Sequence, residues 1–156
     1  VVTVPVVNRK RLEGVLTVSD ITDSFMEAYD SEILSTAHTR YCNIVDTLEG
    51  TLLIGDEKAY YTKGKVLVAA ANPDLMESYI SKHDLVILGN RYESQLCAIE
   101  MEADCIVVCE GAPVSLTIRK LAQERGCTVI STPFDTFTAS ISSCLLRMLC
   151  PFTFVI

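Results

Sequence analysis

No glycine-rich phosphate loop occurs in this sequence. Nothing matches G-x-x-x-x-G-K-[ST], and Gly64-Lys65 lacks both the first glycine and the hydroxyl. G-x-G-x-x-G and G-x-S-x-G are also missing, which excludes a dinucleotide fingerprint and a hydrolase nucleophile elbow. Histidine is scarce, with His38 and His83 alone, and no Cys-x-x-Cys occurs, so no metal-ligand spacing is present. Basic residues do not cluster: 13 Lys and Arg face 20 Asp and Glu for a net charge of −7, and Asn8-Arg9-Lys10-Arg11 is the only basic run. Nucleic-acid binding through a basic face is therefore not expected. No apolar run approaches the roughly 20 residues of a membrane-spanning helix, and no stretch of the sequence reads as a signal peptide. The 7 cysteines are odd in number and mostly sit in apolar runs, which reads as buried, reduced thiols in a cytoplasmic protein. Cys105 and Cys109 share a strand face and read as core packing rather than metal ligands.

What is present is apolar substance. The 156 residues are 49 % hydrophobic, enough for one domain and a small appendage. The chain opens inside the run Val1–Val7 without a start methionine and stops inside the run 150–156, which reads as a segment of a longer polypeptide. Between Asp84 and Thr138, Leu85–Leu88, Cys105–Val108 and Thr128–Ile130 are continuous apolar runs separated by helix-like segments. Continuous rather than alternating runs suit strands buried on both faces, as in a parallel sheet covered by helices. Lys65–Ala71 reads as a further buried strand, and Asn72-Pro73 as the start of a helix through Leu75, Met76, Tyr79 and Ile80. Tyr92–Met101 reads as a helix with Leu96, Ile99 and Tyr92 toward the sheet. Ser115–Arg125 reads as another, with Leu116, Ile118, Leu121 and Ala122 inward and Gly126 as its stop. Asp135 caps a last helix through Phe137, Ile141, Leu145 and Met148. This alternation predicts an α/β fold with a mostly parallel sheet and right-handed crossovers. Earlier, Asn43–Leu48 reads as a short helix closed by Gly50, Thr51–Ile54 as a strand, and Asp56–Gly64 as a hairpin or loop. Tyr60-Tyr61 there suit either aromatic recognition or cover for a sheet edge.

The first residues form a different unit. Val4–Val7, a polar turn at Asn8–Glu13 and Gly14–Val18 read as a hairpin. Ser19 or Asp20 then caps a helix through Ile21, Phe25, Met26 and Tyr29. A β-β-α unit of this size needs a partner to bury its apolar side. Pro5-Val6-Val7-Asn8 followed by Gly14-Val15-Leu16-Thr17-Val18-Ser19-Asp20-Ile21 resembles the second half of a CBS module. Many such modules pair and bind adenine nucleotides. The resemblance implies that Thr17 contacts phosphate, that Asp20, beside Ser19, holds the ribose hydroxyls, and that backbone at Thr3, Val4 and Pro5 flanks the base. Without it, Asp20 reads first as a plain helix cap and Thr17 as a strand end, because such caps are common.

Three loops follow the central strands, at the edge where open α/β sheets bind ligands. Arg91 suits an anion clamp, or an ion pair with Glu93 or Asp135. Asp135 and Thr136 suit a pocket lining or a helix cap. The pattern Gly89-Asn90-Arg91, Gln95, Ala98-Ile99, Cys105–Gly111, Leu121-Ala122 and Thr132–Ala139 resembles a DRTGG domain over residues 35–145. That family carries an Asp-Arg pair in one loop and Thr-Gly-Gly in the next. Here Asn90 replaces the Asp, Cys109 the Thr and Glu110 the first Gly, while Arg91 and Gly111 are kept.

A CBS module running into a DRTGG domain is similar to the regulatory insert of manganese-dependent family II inorganic pyrophosphatases. The resemblance implies residues 1–34 as a partial CBS module, 35–145 as the DRTGG domain and 146–156 as a connector toward a second CBS module. It implies a non-catalytic segment that senses AMP, ADP or diadenosine polyphosphates and dimerises, with manganese held by catalytic domains of the parent chain. The expected nucleotide site is Thr3, Val4, Pro5, Thr17, Ser19 and Asp20. A second candidate site is Asn90, Arg91, Gly111, Asp135 and Thr136; no catalytic or metal residue is assigned. The competing expectation is a ligand-free scaffold of a CBS–DRTGG transcription regulator or a phosphotransacetylase-type protein.

Overall fold

In the computed structural model, residues 3–8, 11–17, 31–69 and 73–149 are described, except for the side chains of 3, 4, 8, 16, 17 and 144–149. The chain divides into two units, Val1–Asp30 and Ser31–Ile156.

In the first unit, β1 (Thr3–Asn8) pairs antiparallel with β2 (Arg11–Thr17). The expected polar turn at Asn8–Glu13 is mostly strand instead: Asn8 pairs with Arg11 and Val7 with Leu12. Glu13 is the extra residue where the register shifts between Val6 and Val7, a bulge that lets the strands continue. The ladder is made by backbone N–H and carbonyl groups, which Asn8, Arg11 and Leu12 carry as any residue does, so polar side chains do not stop it; Val6, Val7 and Leu12 stand exposed on it. The expected helix from Ile21 to Tyr29 lies outside the described residues.

The second unit runs α1 (Ile33–Thr36), β3 (Thr39–Arg40), α2 (Tyr41–Thr47), β4 (Thr51–Ile54), β5 (Tyr60–Tyr61), β6 (Val66–Val68), α3 (Pro73–Tyr79), β7 (Leu85–Leu88), α4 (Tyr92–Glu100), β8 (Cys105–Val108), α5 (Leu116–Arg125), β9 (Thr128–Ser131) and α6 (Thr136–Leu149). One sheet has the order β4-β9-β8-β7-β6. Pairing is parallel from β6 to β9, and β4 is antiparallel at the β9 edge. A monotonic order with right-handed crossovers puts every connecting helix on one face. Accordingly Val86, Leu88, Ile106, Val108 and Val129 pack with Met76, Ile99, Ile118 and Ala122 of α3, α4 and α5. The alternate residues Leu85, Ile87, Cys105, Val107 and Ile130 pack with Leu34, Ile44, Val45 and Ala139 of α1, α2 and α6. The period-2 alternation serves two apolar layers, which is why β7 and β8 read as unbroken hydrophobic runs. Each fully buried Leu or Ile stabilises the unit by about 1.5–3 kcal/mol.

Local chemistry fixes the element ends. The Ser115 hydroxyl accepts the Ile118 N–H at 3.2 Å to start α5, and Gly126 stops it in the left-handed region, φ 70°. Asp84, 1 % exposed, accepts the N–H groups of Lys65 (3.1 Å) and Ser81 (2.8 Å), which locks the start of β6 to the start of β7. Beside it, Gly64 has φ +88° and lies so close to the His83 carbonyl that no Cβ fits.

Three expectations change. Lys65–Ala71 is not a buried strand: β6 covers only Val66–Val68, half-exposed at the sheet edge. Tyr92 and Leu116 do not face the sheet; they are 42 % and 76 % exposed, and Phe137 is 73 % exposed. Each sits in the first turn of its helix, where the side chain leans back over the preceding loop and beyond the strand end. Tyr61, by contrast, is fully buried with Tyr41, rings 6.3 Å apart, while Tyr60 is exposed under Arg40. The Tyr pair is therefore split between core and surface by β5.

Candidate functional site

The two predicted sites lie on different units. On the hairpin, the register places Thr3 opposite Thr17, Val4 opposite Leu16 and Pro5 opposite Val15. Backbone expected to flank a base and the threonine expected to meet phosphate are thus cross-strand neighbours, with Cα atoms about 4.5–5.5 Å apart in such pairs. Ser19 and Asp20 lie outside the described residues.

On the α/β unit, the loops after β8 and β9 are stitched together. The Glu110 N–H donates to the Phe134 carbonyl at 2.8 Å, and the Gly111 N–H to the Thr132 carbonyl at 2.9 Å. Both amides follow from backbone turned into the left-handed region, Glu110 at φ 60° and Gly111 at φ 59°. The family's paired glycines suit this conformation; Glu110 adopts it against the steric preference of a residue with a Cβ. Gly111 is exposed, and Glu110 carries its carboxylate into solvent.

Asp135 is a helix cap. Its Oδ1 accepts the Thr138 N–H at 2.8 Å and its Oδ2 the Thr138 hydroxyl at 2.8 Å. Those hydrogen bonds hold its carboxyl below the ordinary carboxylate range. Thr136 is the first helical residue of α6. Both oxygens accept from Thr138, so the Asp135 carboxylate caps α6.

Asn90 and Arg91 lie in the loop after β7. The loop holding them is fixed from behind: the buried Gln95 amide donates to the Gly89 carbonyl at 3.2 Å. Arg91 is exposed and precedes α4. Neither Glu93 nor Asp135 pairs with it; among the described residues the ion pairs are Lys82–Glu102 and His83–Asp104. Among the described residues no hydrogen bond ties this loop to Gly111 or Asp135; the five residues of the second candidate site lie at the same strand-end edge of the sheet.

The chemical inventory is sparse. Among the described residues no group of three or more His, Cys, Asp or Glu is placed to hold a metal ion. Burial raises the thiols of Cys105, Cys109 and Cys127, the last two to about 11 and about 12. A thiol held neutral at ordinary pH is a poor nucleophile and metal ligand. A feature with no sequence motif lies at the opposite sheet edge: a cleft of about 610 Å3 bordered by Tyr41, Asp56, Asp104 and Thr128.

The DRTGG domain family model matches residues 43–142. A cobalt-dependent inorganic pyrophosphatase of Clostridium perfringens is 39 % identical over 129 residues, covering 83 % of this chain and 24 % of that enzyme. A probable manganese-dependent inorganic pyrophosphatase of Thermotoga maritima is 28 % identical over 137 residues, covering 88 % of this chain and 25 % of that protein. The chain thus spans about a quarter of the length of these relatives. Among solved structures, the CBS and DRTGG domains of the regulatory region of Clostridium perfringens pyrophosphatase, complexed with the activator diadenosine tetraphosphate, match with a TM-score of 0.71 and 36 % identity, over 91 % of this chain and 63 % of that one.

Proposed function

This chain belongs to the DRTGG domain family, and from that we propose that it is the adenine-nucleotide-sensing, dimerising, non-catalytic regulatory segment of a cytoplasmic, metal-dependent inorganic pyrophosphatase. The observation that carries the reading is the likeness, over 91 % of the chain, to a pyrophosphatase regulatory region solved with diadenosine tetraphosphate. In this reading residues 1–34 are a partial CBS module, 35–145 the DRTGG domain and 146–156 a connector. Manganese or cobalt belongs to catalytic domains elsewhere in the parent enzyme.

The nucleotide site is assigned to Thr3, Val4, Pro5, Thr17, Ser19 and Asp20. The pairing of Thr3 with Thr17 supports it, because one ligand placed there meets both strands at once. The strand-end loops at Asn90, Arg91, Gly111, Asp135 and Thr136 serve the fold and the dimer rather than a ligand: Asp135 is occupied by Thr138, and the Glu110–Gly111 amides by the loop after β9.

Calorimetric titration of the parent's intact regulatory region with AMP and with diadenosine tetraphosphate tests the proposal. Saturable binding of either is expected. Heat no greater than dilution for both ligands removes the sensing role and leaves a ligand-free scaffold, the reading that the replaced Asp and Thr-Gly of the DRTGG loops would then favour.

A further inference from the structure

The edge of the sheet at which β8 and β9 begin holds a cleft of about 610 Å3, within the range of small-molecule sites. It lies across the sheet from the strand-end loops, and no sequence motif marks it. Tyr41 and Thr128, 5 % and 6 % exposed, line it, with the Thr128 hydroxyl beside the Tyr41 phenol. Leu53 and Ile54 of β4 supply apolar wall.

Two carboxylates border this space. Asp104 precedes β8; one of its oxygens meets His83 Nδ1 at 2.9 Å, leaving the other without that partner. Asp56 follows β4; one of its oxygens accepts the Lys58 N–H at 2.9 Å. The C-terminal turn of α5 also borders the cleft, at Ala122, Gln123 and Gly126; its Ala122 and Gln123 carbonyls are already engaged by the Cys127 and Gly126 N–H groups, so it closes the wall rather than adding charge. No Lys or Arg is among the residues that line it. The two carboxylates repel nucleotides, so the cleft is separate from the nucleotide site proposed above. A bare metal ion is a poor fit, because two carboxylates in so large a volume give too few ligands for a closed coordination shell.

We infer that this cleft binds a small organic cation, an aliphatic amine whose ammonium group meets Asp56 and Asp104 while its stem lies along Leu53 and Ile54. Putrescine is the probe, titrated at low ionic strength into the 156-residue chain labelled with nitrogen-15 and followed by amide shifts. Saturable shifts are expected at Gly55, Asp56, Asp104, Gly126 and Thr128, and none at Glu110 or Gly111 on the opposite edge. Asp56→Asn keeps an acceptor for the Lys58 N–H and is expected to weaken binding about fivefold, the scale of one partly exposed charge pair. Gln123 is exposed, so Gln123→Lys leaves the fold intact while placing an ammonium at the cleft mouth; it is expected to weaken binding at least as much, and Gln123→Glu to tighten it. The inference is overturned by the absence of saturable shifts, by shifts confined to other surfaces, by affinity that Gln123→Lys leaves unchanged, or by identical shifts from sodium chloride at matched ionic strength, which signal screening rather than a site.

Discussion

The Thr132 hydroxyl donates to the Leu48 carbonyl at 2.6 Å, joining residues 84 positions apart. Leu48 ends α2, and Thr132 follows β9, so one hydrogen bond ties a helix on one face to the strand-end loop. The same oxygen accepts the Phe134 N–H at 3.2 Å, and Thr132 has no solvent exposure. The threonine in the Thr-Pro-Phe-Asp stretch is therefore a structural clamp. Thr132→Val keeps the shape and removes the hydroxyl, leaving a buried carbonyl and an N–H without that partner. A loss of about 1–3 kcal/mol is expected, read as a lower urea midpoint with unchanged slope. A variant as stable as the parent chain would deny the clamp.

Glu110 occupies left-handed backbone, φ 60°, where the family pattern carries glycine. Its N–H is committed to the Phe134 carbonyl, so the backbone is not free to relax. Glu110→Gly removes the Cβ clash at some cost in unfolded-chain entropy. A net gain of up to about 1 kcal/mol is expected, a rise of roughly 2–4 °C in melting temperature for a chain of this size. Calorimetric melting of the two proteins decides it, and a fall in melting temperature would show that the exposed carboxylate has a stabilising partner.

What could be read before the structure follows from which physical signal is local. Strands β7 and β8 and the β9 run at Thr128–Ile130 were legible because two-sided burial makes them continuous apolar runs. The start and stop of α5 and the start of α6 were legible because Ser115, Gly126 and Asp135 act on backbone groups within three or four positions. Tyr92 and Leu116 were misplaced because helical periodicity assigns a face but not how far the first turn overhangs the sheet. Strand β6 was read as buried because an apolar run does not say whether a neighbouring strand follows on its outer side. The cross-strand match of Thr3 and Thr17 required the bulge at Glu13, which no composition signal marks. The cleft is assembled from residues between Tyr41 and Thr128, and no spacing rule joins them.

Buried thiols give the unit a defined alkaline limit. Burial raises Cys109 to about 11 and Cys127 to about 12 from the ordinary 9.0, and Cys105 and the phenols of Tyr41 and Tyr61 are raised as well. Between those values the unfolded chain has released protons that the folded chain keeps, so stability falls as pH rises. Stability is expected to be level below about pH 9 as far as these groups are concerned, and to drop progressively above it. Urea titrations across that range check the sign. In the same protein at neutral pH, iodoacetamide is expected to leave Cys105, Cys109 and Cys127 unmodified until denaturant is added, as peptide mass mapping reads directly. Rapid native labelling of any of the three would contradict their burial.

The assignment of nucleotide binding to the hairpin rather than to the strand-end loops has a direct comparison of variants. In the parent's intact regulatory region, Thr17→Val removes a hydroxyl from a strand end, and Asp20→Asn removes a carboxylate suited to bridging two ribose hydroxyls. A charge-assisted hydrogen bond is worth about 1.5–3 kcal/mol, so Asp20→Asn is expected to weaken AMP binding by tenfold or more. Thr17→Val, a neutral bond to phosphate, is expected to weaken it several-fold. Arg91→Ala serves as the opposing arm. Arg91 is exposed and pairs with neither Glu93 nor Asp135, so its removal leaves the fold intact and exposes whatever the guanidinium does for a ligand. If the loops are scaffold, Arg91→Ala leaves AMP affinity unchanged while the hairpin variants lose it. If Arg91→Ala loses affinity and Asp20→Asn keeps it, the anion sits at the strand ends and Asp20 is a helix cap alone. Titration calorimetry on the three variants, with circular dichroism to confirm equal folding, separates the two outcomes.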